Sequence, residues 1–328
     1  MKLAVISTSR IVDEFLANLG DMPQIEVAAL CCRPQSAPKA EAWAAQYGIG
    51  RVCTDEAALL AEGGFDAVYI GTANHLHHST AKRVLAAGYH VILEKPFTAT
   101  AAEARELFAL ADSKGVMIFE AITTPYLPEY AFLQQELPKI GPVRGVMASF
   151  CARSRRYDDY LAGIWNTTFD PACSGGALYD MNVYNLHYLW GLLGMPERCE
   201  YFPSRGANGV DTAGLAVLHY PGFSAACLAA KDSESAQGCT IQGPGGCLTV
   251  EGGTNALPAV YSVLGGVRGS GARTDGPRKT RHRMAYEFDA FARMIAENDR
   301  AGEAEARRRT LAVMEMIDQL RRSASETV

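Results

Sequence analysis

Three stretches of the chain carry residues whose types and spacing suit chemistry. The first is Val91-Ile92-Leu93-Glu94-Lys95-Pro96-Phe97, an apolar run that ends on a carboxylate, an ammonium group and a proline. Glu and Lys are seldom buried without a partner, so a strand ending on both can deliver them to a cleft. Pro96 holds φ at about −65° and biases Lys95 toward extended backbone, which turns the lysine off the strand end. Alone, Glu-Lys-Pro reads as a solvated loop, and the surrounding elements decide between the two readings.

The second stretch is Gly175-Gly176-Ala177-Leu178-Tyr179-Asp180-Met181-Asn182-Val183-Tyr184-Asn185-Leu186-His187. At about 100° per residue, Leu178, Leu186, Leu189 and Leu193 fall on one helix face. Asp180, Tyr184, His187 and Gly191 form a narrow row on the opposite face. A solvated face would carry Lys, Glu or Arg instead, so an acid, a phenol and an imidazole entered through two glycines read as the wall of a site. Asn182 turns toward the apolar side, where it needs a hydrogen-bond partner.

The third group would hold a dinucleotide. Ser7-Thr8-Ser9-Arg10-Ile11-Val12 follows the first strand, where G-x-G-x-x-G/A gives a tight turn and close approach to a pyrophosphate. Serines replace the first two glycines and Val12 the third. Ser9 could offer its hydroxyl and backbone N–H to a phosphate at the helix N-terminus, while φ > 0 at Ser7 or Ser9 would cost about 1 kcal/mol. The second strand ends in Cys31-Cys32-Arg33, with no acidic residue for the ribose hydroxyls. Arg33 can pair with a 2′-phosphate, which favours NADP over NAD. Gly71-Thr72-Ala73-Asn74-His75-Leu76-His77 gives a small-residue turn along a nicotinamide ribose, with Asn74 and His77 as polar contacts; His75 and His78 read as structural.

The elements that must position these groups alternate. Residues 2–6, 25–30, 67–70, 89–93 and 116–120 read as strands, and residues 10–19, 37–47, 55–62, 79–87 and 100–113 as helices. Single helices between strands imply parallel pairing through right-handed crossovers, a doubly wound α/β sheet whose ligands bind beyond the carboxyl strand ends. Glu94-Lys95 lies at such an end, against the solvated-loop reading. From about residue 122 prolines punctuate a connection, and residues 144–152, 198–202, 212–219, 223–229, 239–242 and 247–251 read as a largely antiparallel sheet around a helix at 177–193. A Gly-rich stretch, 265–277, is expected to be mobile, and helices at 285–297 and 303–324 close the chain. The expected domains are 1–121, binding dinucleotide, and 122–328, an α+β domain with a large open sheet, binding substrate.

The 328 residues are 48% hydrophobic and 20% charged, with 31 basic and 36 acidic residues giving a net charge of −5. Mixed charges leave no electrostatic footprint for nucleic acid or anionic membrane, and no apolar run approaches a bilayer span. The basic cluster Arg278-Lys279-Thr280-Arg281-His282-Arg283 reads as a solvated loop. Nine cysteines without a Cys-x-x-Cys pair suggest no metal site, and they read as small buried hydrophobes in a reducing cytoplasm.

With these motifs in this order, the sequence resembles the Gfo/Idh/MocA oxidoreductases, a family that includes glucose-fructose oxidoreductase, inositol dehydrogenase and dihydrodiol dehydrogenase. The resemblance covers nearly the whole chain and implies a Rossmann-type first domain. It implies that Lys95 is the catalytic lysine, Glu94 lies beside the nicotinamide and Asp180 orients the substrate. Family members carry His or Tyr at the position of Tyr184, and this chain is of the tyrosine type. Ser7, Ser9 and Asn182 depart from the family's glycines. The expected activity is hydride transfer between NADP (or NAD) and a secondary alcohol or ketone of a sugar, polyol or cyclic diol. Tyr184 would exchange the proton, Lys95 would polarise the oxygen, and Asp180 and His187 would line the substrate. Two other readings stay open: a catalytically silent nucleotide-binding sensor, and a glycosidase using NAD for transient oxidation. A homodimer or higher homo-oligomer through the second-domain sheet is expected.

Overall fold

The computed structural model describes residues 1–266 and 270–326. The chain divides into two compact units, Met1–Ala121 with Met284–Leu311, and Ile122–Arg283 with Ala312–Val328.

In the first unit, six parallel strands, β1 (Lys2–Ile6), β2 (Glu26–Cys31), β3 (Val52–Cys53), β4 (Ala67–Ile70), β5 (His90–Glu94) and β6 (Ile118–Ala121), lie in the order β3-β2-β1-β4-β5-β6. Chain order reverses beside β1, which pairs with β2 on one side and β4 on the other. That is the switch point where an open α/β sheet opens a ligand crevice. Both faces of the sheet are covered, so its strands are apolar runs rather than alternating ones: Leu3 to Val5, Ala67 to Ile70 and Val91 to Leu93 are fully enclosed. Helices α1 (Arg10–Ala17), α2 (Ala37–Tyr47), α3 (Glu56–Glu62), α4 (His77–Ala86) and α5 (Ala101–Lys114) connect the strands. The two-residue β3 is too short to leave a periodic signal and was not expected from sequence.

The contiguous division at residue 121 needs a correction. The helix Arg283–Glu297 returns to the first sheet because its buried stripe is aromatic: Phe288 packs on Phe15 at 4.6 Å and on Tyr69 at 5.2 Å, and Phe291 stacks on Phe119 at 4.9 Å. The start of the helix Arg300–Glu326 is tied in by Glu303, whose carboxylate accepts the Ile118 N–H at 3.1 Å.

The second unit holds an eight-stranded sheet in the order β14-β13-β12-β11-β7-β10-β9-β8. Its strands are β7 (Gly145–Cys151), β8 (Arg198–Arg205), β9 (Asp211–Tyr220), β10 (Phe223–Ala230), β11 (Gly238–Gly243), β12 (Gly246–Glu251), β13 (Ala259–Leu264) and β14 (Ala272–Asp275). Among the described residues of this sheet, only β7 and β10 pair in parallel. Along β9 buried residues alternate with half-exposed ones, so one face is packed and the other open. The helix Val183–Leu193 is buried from Val183 to Trp190.

Two expectations here are overturned. Residues 272–275 of the Gly-rich stretch are an edge strand, paired with β13 and anchored by Arg273 over the Tyr261 ring at 3.7 Å; residues 267–269 of that stretch lie outside the described residues. The strand is fully exposed, so backbone pairing rather than apolar pattern makes it. The basic cluster is not simply solvated, because the Lys279 ammonium donates to the buried Glu129 carboxylate at 2.9 Å and to the Leu257 carbonyl at 3.0 Å. Among the described residues no helix is long and apolar enough to cross a membrane.

Candidate active site

The first unit gathers its chemistry at the carboxyl ends of β1, β4 and β5. Glu94 is the last residue of β5 and is buried; it accepts the Tyr69 hydroxyl at 2.7 Å and the Lys95 N–H at 3.3 Å. The strand therefore fixes Glu94 and hands the next residue, half-buried Lys95, to the sheet's carboxyl edge. The Lys95–Pro96 peptide is cis.

His77 binds differently from the sequence expectation. It is fully enclosed, with Nδ1 2.8 Å from the Pro96 carbonyl and Nε2 3.1 Å from the Thr72 carbonyl. Burial pushes its pKa down, while the two carbonyl contacts push it up. It is a strut tying the turn after β4 to the turn after β5, and its ring is not available to a cofactor. Asn74 opens a short turn ahead of α4 and is half-buried. His78 pairs with Glu106 at 2.9 Å, and His75 is exposed.

Of the two serines in the Ser7–Ser9 turn, only one is strained. Ser7 adopts φ 137, the region glycine would occupy without strain, whereas Ser9 has φ −69 and is unstrained. The Ser9 N–H donates to Ser7 Oγ at 3.0 Å, so the expected N–H contact to phosphate is already spent. The Ser9 hydroxyl and the Thr72 hydroxyl are buried with no hydrogen-bond partner among the described residues. A Cβ on Gly71 would lie 2.8 Å from Val12 and 3.4 Å from Ser9 Oγ, so only glycine lets the β4 turn close on α1. Buried hydroxyls without partners are costly. Placed beside the start of α1 with Arg10 and Ile11, where unpaired helix N–H groups favour anions, they fit a dinucleotide pyrophosphate. Lys39, which the sequence reading missed, donates to the Thr8 carbonyl at 2.9 Å and lies over Trp43 at 4.4 Å. Arg33 is exposed just beyond β2.

Because only Ser7 is strained, Ser7→Gly is expected to relieve about 1 kcal/mol and to free the Ser9 N–H, tightening NADPH binding several-fold by calorimetric titration. Ser9→Ala, which removes the unpartnered hydroxyl, should weaken it. Equal tightening in both variants would mean that neither hydroxyl meets the phosphates.

The second unit presents the acid and the phenol. The helix row begins not as an α-helix but as a π turn, Leu178–Asn182, continued by the helix Val183–Leu193. Such turns accompany functional sites and rotate the following residues off a 100° count. Asp180 sits in it with 34% of its side chain exposed, and Tyr184 follows one turn on, its ring set edge-on to Phe150 at 5.6 Å. Asn182 is buried as expected and finds its partners: it donates to the Cys227 carbonyl at 3.1 Å and accepts from Asn185 at 2.9 Å. The lower end of the row is interior. His187 is fully enclosed, and a Cβ on Gly191 would meet the Tyr130 hydroxyl at 2.2 Å. The helix is already buried at Tyr184, 8% exposed, and His187 lies deeper at 0%, so the substrate-lining role expected for His187 finds no exposed ring here.

The two glycines at the entry have a steric reason. A Cβ on Gly176, at φ 110, would lie 1.9 Å from Asp211 Oδ1, and one on Gly175 would lie 2.7 Å from the Thr167 carbonyl. Asp211 uses its carboxylate to accept the Leu178 N–H at 2.7 Å and the Tyr201 hydroxyl at 2.6 Å, capping the π turn. Behind Asp180 stands Lys231, also missed from sequence, whose ammonium lies 2.8 Å from Asp180 Oδ2. The signal was present: Lys231 follows an apolar strand, as Lys95 does. Phe169, beneath the same ammonium, lines a half-open cavity of about 480 Å³ with Tyr157, Tyr160, Trp165 and Asn208.

Comparison with known proteins agrees with both halves. Residues 1–122 match the model of an oxidoreductase family with an NAD-binding Rossmann fold, and residues 138–249 match the GFO/IDH/MocA C-terminal domain. The chain is 31% identical over 322 residues to scyllo-inositol 2-dehydrogenase (NADP(+)) IolU of Bacillus subtilis, covering 98% of this chain and 96% of that protein. It is 29% identical over 226 residues to trans-1,2-dihydrobenzene-1,2-diol dehydrogenase of Sus scrofa, covering 68% of this chain and 65% of that one. Among solved structures, KijD10, a 3-ketoreductase from Actinomadura kijaniata in complex with TDP-benzene and NADP, superposes with a TM-score of 0.81 at 24% identity, over 98% of this chain and 96% of that one.

Proposed function

The chain belongs to the Gfo/Idh/MocA oxidoreductases, and we propose that it interconverts a secondary alcohol and a ketone on a polyol or sugar ring, with NADP(H) preferred to NAD(H). The observation that carries this reading is the delivery of Lys95 to the carboxyl end of β5, next to buried Glu94, in a sheet whose β1 and β4 turns fit a dinucleotide. A nicotinamide dinucleotide held by the turns after β1 and β4 would supply hydride transfer to and from the carbinol carbon. Tyr184 takes the hydroxyl proton as the C–O bond becomes a carbonyl, and returns it in the reverse direction. Lys95 polarises the oxygen, and Asp180 accepts a neighbouring substrate hydroxyl.

The scyllo-inositol named for the Bacillus subtilis relative makes inositols the first substrates to try. A panel of inositols, sugars and diols, read by nicotinamide absorbance with both cofactors, tests the proposal. Stoichiometric reduction of NADP⁺ with one of them is the expected result. Cofactor binding without net turnover would point to a sensor or to a glycosidase with transient oxidation.

NADP(H) preference rests on Arg33 just beyond β2 and Lys39 in α2, with no carboxylate between them in the chain. A hydrogen bond to a charged group contributes about 1.5–3 kcal/mol, less at an exposed site. Arg33→Ala is expected to weaken NADPH binding by roughly tenfold and to leave NADH binding nearly unchanged; equal loss for both would remove Arg33 from the 2′-phosphate. Assembly through the open face of the second sheet fits this face's exposed Met147, Phe202 and Leu228, which the strand registers place on one side. A homodimer is the simplest such assembly. Nine free thiols, most of them buried, suit the reducing cytoplasm.

A further inference from the structure

Resting on the functional reading above, we propose that Lys231 is a positioning residue: it fixes and neutralises the Asp180 carboxylate so that Tyr184 gives up its proton beside no uncompensated negative charge. Lys231 is 1% exposed. Its backbone is held on both sides, the N–H by the Thr212 carbonyl at 2.7 Å and the carbonyl by the Ser154 N–H at 2.8 Å. Its ammonium lies 2.8 Å from Asp180 Oδ2, donates to the Thr168 carbonyl at 2.7 Å, and faces the Phe169 ring at 4.7 Å.

Removing an ammonium from water costs several kcal/mol unless an anion and further acceptors replace the lost solvation. Here all three are supplied, so the cation is a fixed part of the scaffold and Asp180 is the member that faces outward. A bare carboxylate one turn before Tyr184 would disfavour the phenolate, because like charges oppose ionisation. The buried cation offsets that opposition, its charge acting on Asp211 as well, without occupying the side of Asp180 that solvent reaches.

The experiment uses the full chain with scyllo-inositol and NADP⁺ as probes. Lys231→Met should leave NADPH affinity within about twofold, lower kcat/KM by about 10- to 100-fold, and move the acidic limb of its pH profile upward by about one unit. Lys231→Arg keeps the charge and should hold the limb in place, whatever it does to rate. Asp180→Asn combined with Lys231→Met removes both charges and should bring the limb back. Should Lys231→Met fail to fold, Lys231→Gln, which still donates to Thr168, must move the limb the same way.

A limb that stays put in the Met or Gln variant overturns the proposal and leaves Lys231 a structural pair, even if carbon-13 NMR shows that the Asp180 carboxyl titrates at higher pH without its partner. In that case a Tyr184→Phe variant that is still inactive keeps the functional reading intact. No turnover of scyllo-inositol by the parent, or near-parent turnover in Tyr184→Phe, overturns the reading and this proposal together.

Discussion

Tyr184→Phe and Lys95→Met are each expected to cut turnover at least about 10²-fold, the usual loss of an acid–base group. Unperturbed Tyr and Lys titrate near about 10 and 10.4, so neither serves as a base at neutral pH by itself. In the proposed reaction each group acts on the substrate oxygen, so removing either one removes an acid–base partner. Both substitutions preserve shape. The Tyr184 ring is held edge-on by Phe150, a contact Phe retains, so the loss reports the hydroxyl. Cofactor affinity should survive Tyr184→Phe, because the phenol serves the substrate. The double variant should be little worse than either single one, since groups that act as a unit are not additive. Near-parent turnover in Tyr184→Phe would shift proton transfer to Lys95 alone, and additive losses would show that the two act in separate steps.

The first unit was legible because its strands are continuous apolar runs ending in chemistry. Leu93-Glu94-Lys95-Pro96 announces itself by the break from enclosed to charged residues, and β1, β4 and β5 are bounded by turn residues. What the pattern could not reveal were features set by packing at a distance. Phe288 and Phe291 show that the helix Arg283–Glu297 is amphipathic, but only Phe15, Tyr69 and Phe119 reveal which sheet receives it. The row Asp180-Tyr184-His187 was read on an even 100° wheel, and the π turn breaks that count at its first residues. His187 was grouped with Asp180 by angle, although depth along the helix separates an open carboxylate from an enclosed imidazole. His77 looked like a ligand because it is polar and near a turn; two backbone carbonyls had already claimed it. β14 was hidden because a pleated edge needs no apolar residues when a neighbouring strand supplies the ladder.

Gly176→Ala is expected to be the most disruptive small change in the second unit. Two costs coincide at this position. The backbone is at φ 110, where a side chain is strained by roughly 1–3 kcal/mol. The new methyl would also lie 1.9 Å from Asp211 Oδ1, far inside contact distance. The structure can relieve that clash only by moving Asp211, which is committed to the Leu178 N–H at 2.7 Å and the Tyr201 hydroxyl at 2.6 Å. Displacing it leaves a buried N–H and a buried hydroxyl unpaired, at about 1–3 kcal/mol each. Burial also pushes the Asp211 carboxyl above the usual carboxylate range, so the folded state binds its proton more readily than the unfolded chain. The stability this contributes is present below about pH 4 and is lost as pH rises through the folded value, so at neutral pH the carboxylate is a cost that its capping bonds must offset. Gly176→Ala should therefore lower the urea midpoint by the equivalent of about 3 kcal/mol or more. It should also reduce kcat more than a distant mutation of equal destabilisation, because Leu178 opens the π turn that carries Asp180. Adding Asp211→Ala should remove the clash without restoring the cap, recovering only part of the stability and little of the turnover. A Gly176→Ala protein with parent urea midpoint and parent kinetics would mean that Asp211 can swing aside freely, and that the π turn holds Asp180 without it.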